Sequence, residues 1–493
     1  MYELGITDHW WDIAKRHTEL SNHPNTLKPL GYAFIFELIE AFKPKRVLEV
    51  GHGAGSFLFS TFKDKIEVWG LDAEVKDSSV SVEDLKNVRI WHPEVRFVEG
   101  LLGSNLAELP DNYFDLVFSV SVVEHIPEEV LPSVFKDAYR ILKPGGIFAH
   151  SYDVYYGQNV KALFDAYETA GFDWLKQKDT MNVFWEKWLC PDGNIPSSLF
   201  EKVVTENPMF VSEVYMWQQV REKRQAPMNY FTILNAGRKP LEKTDTTKSL
   251  SKITPENFDE FTYSRKDHFN FFNEAGYTDE LFKSGIDTEF SDLRSYQELL
   301  AYSFIKENIP AGSKILEIGG NYPTILRKLK GDYECWDLYS SDEAITHLKE
   351  EDSKDIKLIK DNIGNFNKEL PDNYFDFVFS VSALNETPDD EEKYYENILK
   401  DVNRILKPGG YSMHSFVLLW GETNRVWTSR LISYLYDNQK IINDFVHPFK
   451  LVLDKELYMM SEKFYNANWE SITKKSYRKF GKPFSYNVIW KKD

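Results

Sequence analysis

Cysteine is nearly absent: Cys190 and Cys335 are the two in 493 residues. One thiol in each half cannot build a disulfide framework and fits a reducing compartment, so a cytoplasmic location is expected. No apolar run approaches the roughly 18 residues that a membrane span needs. The opening MYELGITDHWW lacks the basic-then-apolar order of a secretory leader, and none is expected. Basic residues are outnumbered, 59 Lys and Arg against 77 Asp and Glu, for a formal charge of −18. A field of that sign repels phosphate backbones and anionic lipid, which argues against nucleic acid and membrane as partners. The 11 His and the two Cys are scattered, so no metal site is expected. One stretch departs from the acidic balance: residues 471–493 hold seven Lys or Arg against Asp493. It reads either as a solvated terminus or as a patch for an acidic or phosphorylated substrate.

What is present is ample chain for large cores, 42% hydrophobic and 15% aromatic, and a repeat. LPDNYFDLVFSVSVVEHIPEE at 109–129 returns as LPDNYFDFVFSVSALNETPDD at 370–390, identical at 13 of 21 positions. RILKPGG at 140–146 returns unchanged at 404–410, and RVLEVGHGAGS at 46–56 returns as KILEIGGNYPT at 314–324. A period of more than 260 residues means duplicated domains, since a solenoid repeats every 20 to 50 residues or so. Between the copies LEKTDTTKSLSKITPEN is polar and poor in large apolar residues. The expected organisation is a first domain over 1–240, a linker over 241–257 and a second domain over 258–493.

Within each copy strands alternate with helices. In the first, YAFIFELIEAF (32–42) reads as a helix. RVLEVG (46–51), IEVWGLD (66–72), VRFVEG (95–100), FDLVFSVS (114–121) and IFAHSYD (147–153) read as strands, with a helix over about 128–142 that ends at KPGG. That alternation predicts an α/β fold with a parallel sheet covered on both faces, whose ligands sit at the carboxyl ends of the strands. Gly51, Gly53 and Gly55 follow the first strand, where a missing side chain lets the backbone turn and approach a ligand. The residue that would complete a dinucleotide-type G-x-G-x-x-G is Ser56, which counts against a nicotinamide cofactor. Asp72 ends the next strand, in place to accept hydrogen bonds from a ribose or, alternatively, to cap a turn.

In order and spacing, VLEVGHGAGS, the acid of WGLD, FDLVFSVSVVEHIP and RILKPGGIF resemble the class I S-adenosylmethionine-dependent methyltransferases. The resemblance covers about residues 30–155, with a weaker second instance over about 295–420. It implies two tandem Rossmann-like domains, each a mostly parallel seven-stranded sheet with helices on both faces, and S-adenosylmethionine as cofactor. Carried over by position, it implies that Glu49, Gly51, Gly53 and Gly55 surround the methionine part and that Asp72 holds the ribose. Gly100 and Leu101 would flank the adenine, and Ser119 and Val120 would lie beneath the sulfonium. Many relatives carry an Asp just after the third strand, where this chain reads EGLLGS. Adenine recognition here then rests on backbone groups or another side chain.

His125 of VVEHIP and His150 of FAHSYD lie where an acceptor is expected to approach, and imidazoles take protons near neutral pH. Each also has a plain structural reading, His125 as a helix residue and His150 as a strand residue that recurs as His414. RILKPGG reads as structural. In the second copy Gly53 becomes Asn321, Ala54 becomes Tyr322 and Gly55 becomes Pro323, while Asp337 remains for a ribose. Proline lacks an N–H and restricts its neighbour, and Tyr322 adds bulk; Asn385 and Glu386 replace Glu124 and His125. The expected activity is methyl transfer to a small molecule or saccharide unit by the first domain, with the second structural or substrate-shaping. Two active domains, a protein acceptor, or a non-enzymatic nucleoside-binding scaffold are the alternatives. Aromatic-rich segments over about 155–225 and 416–480 are placed to cover a substrate or to pack as core, and Trp217, Arg221, Arg224 and Arg478 could contact one.

Overall fold

The computed structural model describes residues 2–4, 8–21, 27–62, 65–73, 81–154, 161–175, 231–240, 252–319, 323–340, 354–386, 392–420, 426–427 and 430–493. The chain falls into two units that part between Asp245 and Thr246. That point lies inside the stretch read as a linker. Residues 252–257 of the same stretch are folded: Ile253 is fully buried, and Thr254 and Asn257 form a capping box on the short helix Pro255–Phe261.

The first unit contains β1 (Tyr2–Leu4), β2 (Arg46–Val50), β3 (Glu67–Asp72), β4 (Arg96–Glu99), β5 (Phe114–Val120), β6 (Leu142–Val154), β7 (Asp173–Trp174) and β8 (Phe231–Arg238). Across the sheet the order is β1-β8-β6-β5-β2-β3-β4, with β7 also on β8. The ladders from β4 through β3, β2 and β5 to β6 are parallel, and β8 returns antiparallel. This sheet has eight strands where seven were expected, because β1 and β7 both add to β8, at residues 233–235 and 237–238. Expected strand 147–153 begins earlier, at Leu142. The ladder steps from Phe114–Leu142 to Leu116–Ile147, so KPGG is carried as a bulge inside β6.

The second unit repeats the plan with β9 (Lys314–Ile318), β10 (Glu334–Tyr339), β11 (Ile356–Lys360), β12 (Phe375–Val381), β13 (Leu406–Trp420), β14 (Val426–Trp427) and β15 (Lys482–Lys491). Its order is β11-β10-β9-β12-β13-β14, with β15 antiparallel on β13, the expected seven strands. Alternate residues of its strands feed two apolar layers: Ile315, Phe377 and Phe379 on one face, Leu316 and Val378 on the other. Each such buried side chain contributes roughly 2 kcal/mol, which is why central strands read as nearly unbroken apolar runs. Among the described residues no helix is long and apolar enough to cross a membrane.

The stretches that repeat most faithfully bind each other. Arg140 Nε donates to Asp137 Oδ1 (2.8 Å) and Nη1 to the Leu109 carbonyl (2.8 Å), and Arg140 also pairs with Asp111. Lys143 meets Asp115 at 2.6 Å, and the other oxygen of Asp115 accepts the Lys45 and Arg46 amides that open β2. Lys239 Nζ reaches Asn112 and the carbonyls of Tyr139 and Leu142. In the second unit Arg404 holds Asp401, Asp372 and the Leu370 carbonyl, Lys407 meets Asp376, and Lys492 takes the place of Lys239.

One pair of core positions has exchanged its bulk. Phe148 lies opposite Gly237 in the β6–β8 ladder, and a Cβ on Gly237 would come within 2.8 Å of Tyr167. The matching rung of β13–β15 pairs Ser412 with Trp490.

Arg404→Leu removes the cation facing Asp401, which is almost wholly buried. It is expected to lower the stability of the second unit by about 3 kcal/mol, read as a shifted denaturant midpoint of the intact chain.

Candidate active site

β2 is the switch point of the first sheet: β3 and β4 lie to one side of it, β5 and β6 to the other, so the carboxyl ends of β2 and β5 diverge there. At the end of β2 the Gly51 amide donates to the Leu71 carbonyl (2.8 Å) and φ is +73°. A Cβ on Gly51 would sit 2.5 Å from Val122, so this glycine is required both by conformation and by the close approach of the chain leaving β5. The Gly53 amide donates to Asp72 Oδ2 at 2.6 Å, while Oδ1 accepts the Ala73 amide. Asp72 therefore ties the glycine loop to the end of β3, with its carboxylate still half-buried rather than closed off. A Cβ on Gly55 would meet nothing within 4 Å. Ser56 caps the following helix, its Oγ accepting the Leu58 amide.

Glu49, in the same strand, is 1% exposed. Tyr32 donates its hydroxyl to Glu49 Oε1 at 2.6 Å. Oε2 accepts no hydrogen bond among the described residues, although the Ser56 hydroxyl is near enough to favour the charged form. Burial, with a smaller push from Asp72, raises the carboxyl to about 7, opposed by Ser56, Tyr32 and Lys28. Burial beside Glu49 likewise raises the Tyr32 phenol well above its ordinary range. Tyr32 was not singled out from sequence, where it is one aromatic in an apolar helix.

The remaining expected residues separate into two groups. Gly100 follows β4, its amide donating to the Asp72 carbonyl, and Leu101 beside it is 55% exposed. Ser119 and Val120 close β5, both buried, after which Ser121 turns the chain through φ +56°. His125 is exposed on the short helix Val123–His125. In the same helix Glu124 Oε1 accepts the Asp153 amide (2.9 Å), and burial followed by the charge of Asp153 pushes its carboxyl to about 8. Gly53, Asp72 and Gly100 are thus joined by hydrogen bonds at the strand ends, with Gly51 bonded to the neighbouring Leu71 and Glu49 held by Tyr32. His150 is not among them. It lies in the core, 2% exposed, against Phe135, Phe148 and Tyr167. Its Nδ1 is bonded to Ser119 Oγ at 2.7 Å, and burial pushes it to about 3.

In the second unit Gly319 keeps the turn (φ +79°), and a Cβ there would lie 2.3 Å from Ala383. Glu317 and Asp337 are buried on paired rungs of β9 and β10; burial and then Asp337 hold the Glu317 carboxyl well above its usual range. Asp337 stands inside β10 on the rung that Gly70 holds in the first unit, and Tyr339 ends the strand where Asp72 does, so the structure does not bear out the expectation that Asp337 remains at a strand end for a ribose. Aligning the two sixteen-residue helices Leu27–Phe42 and Leu293–Asn308 end to end puts Glu298 at the place of Tyr32 and Arg294 at that of Lys28. Arg294 and Glu298 pair at 2.9 Å. Pro323 begins the helix Thr324–Leu329 without a side-chain cap. A cavity of about 390 Å³ opens here, lined by Arg294, Gly319, Leu338, Asp361, Asn362 and Ser382 among others. Asp361 follows β11, the position held by Gly100 in the first unit. His414 bonds to Ser380 and Ser412. Asn321, Tyr322, Trp217, Arg221, Arg224 and Cys190 lie outside the described residues, as does the Arg478 side chain.

Residues 48–150 and 316–413 both match the family described as a methyltransferase domain. The chain is similar to the ubiquinone biosynthesis O-methyltransferase of Proteus mirabilis, 28% identical over 159 residues, which is 32% of this chain and 60% of that protein. The Aliivibrio fischeri protein of the same name is 26% identical over 33% of this chain and 63% of its own length. The chain thus spans about three-fifths of the curated relatives it matches. Among solved structures it is similar to a TehB-like methyltransferase from Corynebacterium glutamicum, at 21% identity over 34% of this chain and 84% of that one, with a TM-score of 0.26. It is also similar to the Haemonchus contortus phosphoethanolamine N-methyltransferase 2, at 12% identity over 94% and 98% of the two chains, with a TM-score of 0.25.

A carboxyl in the position of Glu49 attracts a cation only when it is ionised. Its pKa of about 7 predicts that S-adenosylhomocysteine, which carries an ammonium group, binds about tenfold more tightly at pH 8 than at pH 6. Glu49→Gln is expected to weaken binding and flatten that dependence in calorimetric titrations across this range.

Proposed function

We propose, from the premise that the chain belongs to the class I S-adenosylmethionine-dependent methyltransferase family and carries its domain twice, that the first unit transfers a methyl group from S-adenosylmethionine to a small-molecule or saccharide acceptor. The observation that carries this is Glu49 Oε2, a buried carboxylate oxygen beside a glycine loop that accepts no hydrogen bond among the described residues. A site of that kind suits an ammonium donor, and the methionine end of the cofactor presents one.

When bound, the cofactor supplies an already activated methyl group. The chain's work is to bind, to orient and to exclude water. Glu49, fixed by Tyr32, holds the cation; Gly51, Gly53 and Gly55 leave room for the methionine portion. Asp72 keeps acceptor capacity for the ribose hydroxyls while holding the loop through the Gly53 amide. Gly100 and Leu101 flank the adenine, and the buried ends of β5 at Ser119 and Val120 form the floor beneath the sulfonium. For a hydroxyl acceptor, His125 is the exposed imidazole beside β5 and takes the proton. We assign no proton transfer to His150: a ring enclosed by Phe135, Phe148 and Tyr167 and held neutral by burial supports Ser119 instead.

The acceptor class rests on the acidic surface, which disfavours nucleic acid, and on curated relatives named for O-methylation in ubiquinone biosynthesis. The second unit is assigned no transfer, because Glu386 stands where His125 does and Pro323 where Gly55 does. A retained ligand site in that unit is the alternative its cavity favours.

Titration of the intact chain with S-adenosylhomocysteine, beside Asp72→Ala and Asp337→Ala, tests the assignment. One site per chain, lost with Asp72→Ala alone, is expected, together with labelled-methyl transfer that Asp72→Ala abolishes. Tight binding without any transfer would instead make the chain a nucleoside-binding scaffold. Two sites, each lost with its own aspartate, would give the second unit a ligand of its own.

A further inference from the structure

The segment that follows β4 cannot hold its own shape. Gly100 (φ +154°), Gly103 (φ +101°) and Asn105 (φ +51°) place three of six consecutive residues at positive φ, a conformation that needs outside support. The support comes from one side chain. Asp137, 1% exposed in the helix Leu131–Ile141, accepts the Gly103 amide at 2.8 Å and the Asn105 amide at 3.3 Å on Oδ2. Its Oδ1 is fixed by Arg140 Nε.

The second unit builds the same loop with an extra anchor. Asp401 accepts the amides of Gly364 and Phe366 at 2.8 and 3.0 Å, as Asp137 does for its counterparts. In addition Asp361, where the first unit has Gly100, accepts the Asn362 amide and the side-chain amides of Asn365 and Asn367. Besides the main-chain bond that each makes to the neighbouring strand, the second loop is therefore tied by two carboxylates and the first by one.

We propose that Asp137 is a positioning residue for the nucleoside end of the first site, setting the backbone at 100–105 that reads the base in place of a side chain. This rests on the cofactor reading above, since that reading places Gly100 and Leu101 beside the adenine. With no acid after β4, recognition depends on where backbone N–H and C=O groups lie, and a loop free to move would lose it. The second unit, with Asp361 present, does not depend on Asp401 in this way.

The test uses the intact chain with Asp137→Asn, Asp401→Asn and Arg140→Lys, measuring S-adenosylhomocysteine affinity by calorimetry and amide exchange at residues 100–105. Asp137→Asn is expected to weaken binding about tenfold, the worth of a hydrogen bond to a buried charge, and to speed exchange at Gly103 and Asn105. Asp401→Asn, which makes the same structural change in the other copy, leaves the affinity of the first site unchanged. Should Asp137→Asn fail to fold, Arg140→Lys keeps the cation but gives up the fork that also holds Asp111 and the Leu109 carbonyl, so Arg404→Lys, which makes the same loss in the other copy, is its control; binding is expected to weaken severalfold with Arg140→Lys alone. Wild-type affinity in Asp137→Asn despite faster exchange overturns the inference while leaving the cofactor reading intact. Equal losses in Asp137→Asn and Asp401→Asn overturn it as general destabilisation. No binding by the unmodified chain overturns the cofactor reading, and this inference with it.

Discussion

The planar fork of Arg140 is the interaction on which the first unit's arrangement depends. An arginine can bond a buried carboxylate, an exposed one and a main-chain carbonyl at once because its donors are fixed in one plane. Arg140 does so with Asp137, Asp111 and Leu109, joining the helix before β6 to the loop between β4 and β5. Lys143 and Lys239 complete the frame by pinning the start of β2 and the end of that helix. Arg404, Lys407 and Lys492 rebuild it in the second unit. This accounts for the pattern of repetition: LPDNYFD and RILKPGG stayed alike because they hold each other, whereas the loops at the strand ends diverged.

The two sites differ in electrostatics more than in shape. Both place a buried glutamate near the end of the first strand, but the aspartate that ends β3, Asp72, is replaced by Tyr339 at the end of β10. In the first unit a phenol, Tyr32, meets one oxygen of Glu49, and the other accepts no hydrogen bond among the described residues. In the second, Arg294 enters the same region and pairs with Glu298, while Glu317 and Asp337 stay buried beside each other. Beyond the fourth strand of the sheet the carboxylates of Glu124 and Asp153 are also lost, with Asn385 and Val417 in their places.

Much of this was legible in the sequence. The duplication, the alternation of strand and helix around each glycine loop and the places of Gly51, Gly53 and Asp72 follow from spacing, because tight turns at strand ends admit few residue types. KPGG was read as a break and proved a bulge, since glycine and proline signal both and only the partner strand decides. Tyr32 and His150 were beyond reach for a common reason: whether a polar side chain in an apolar element faces a site or the core depends on tertiary packing. Asp137 did carry a signal, an acid three residues before the arginine in both copies, but a helical acid of that kind reads as solvent-facing until its burial is known.

The rung at which Phe148 faces Gly237, and Ser412 faces Trp490, bears on how the copies can change. The volume of one side chain has passed from one strand to the other, so neither strand fits the opposite partner. Exchanging β6 for β13 alone would leave serine facing glycine, a void, or in the reverse graft phenylalanine against tryptophan, a collision. A recombination event between the two halves of the gene that copied one strand and spared its neighbour would therefore yield a chain that packs badly. The duplicated halves are locked into separate histories, and sequence can pass between them only in blocks that carry both strands together.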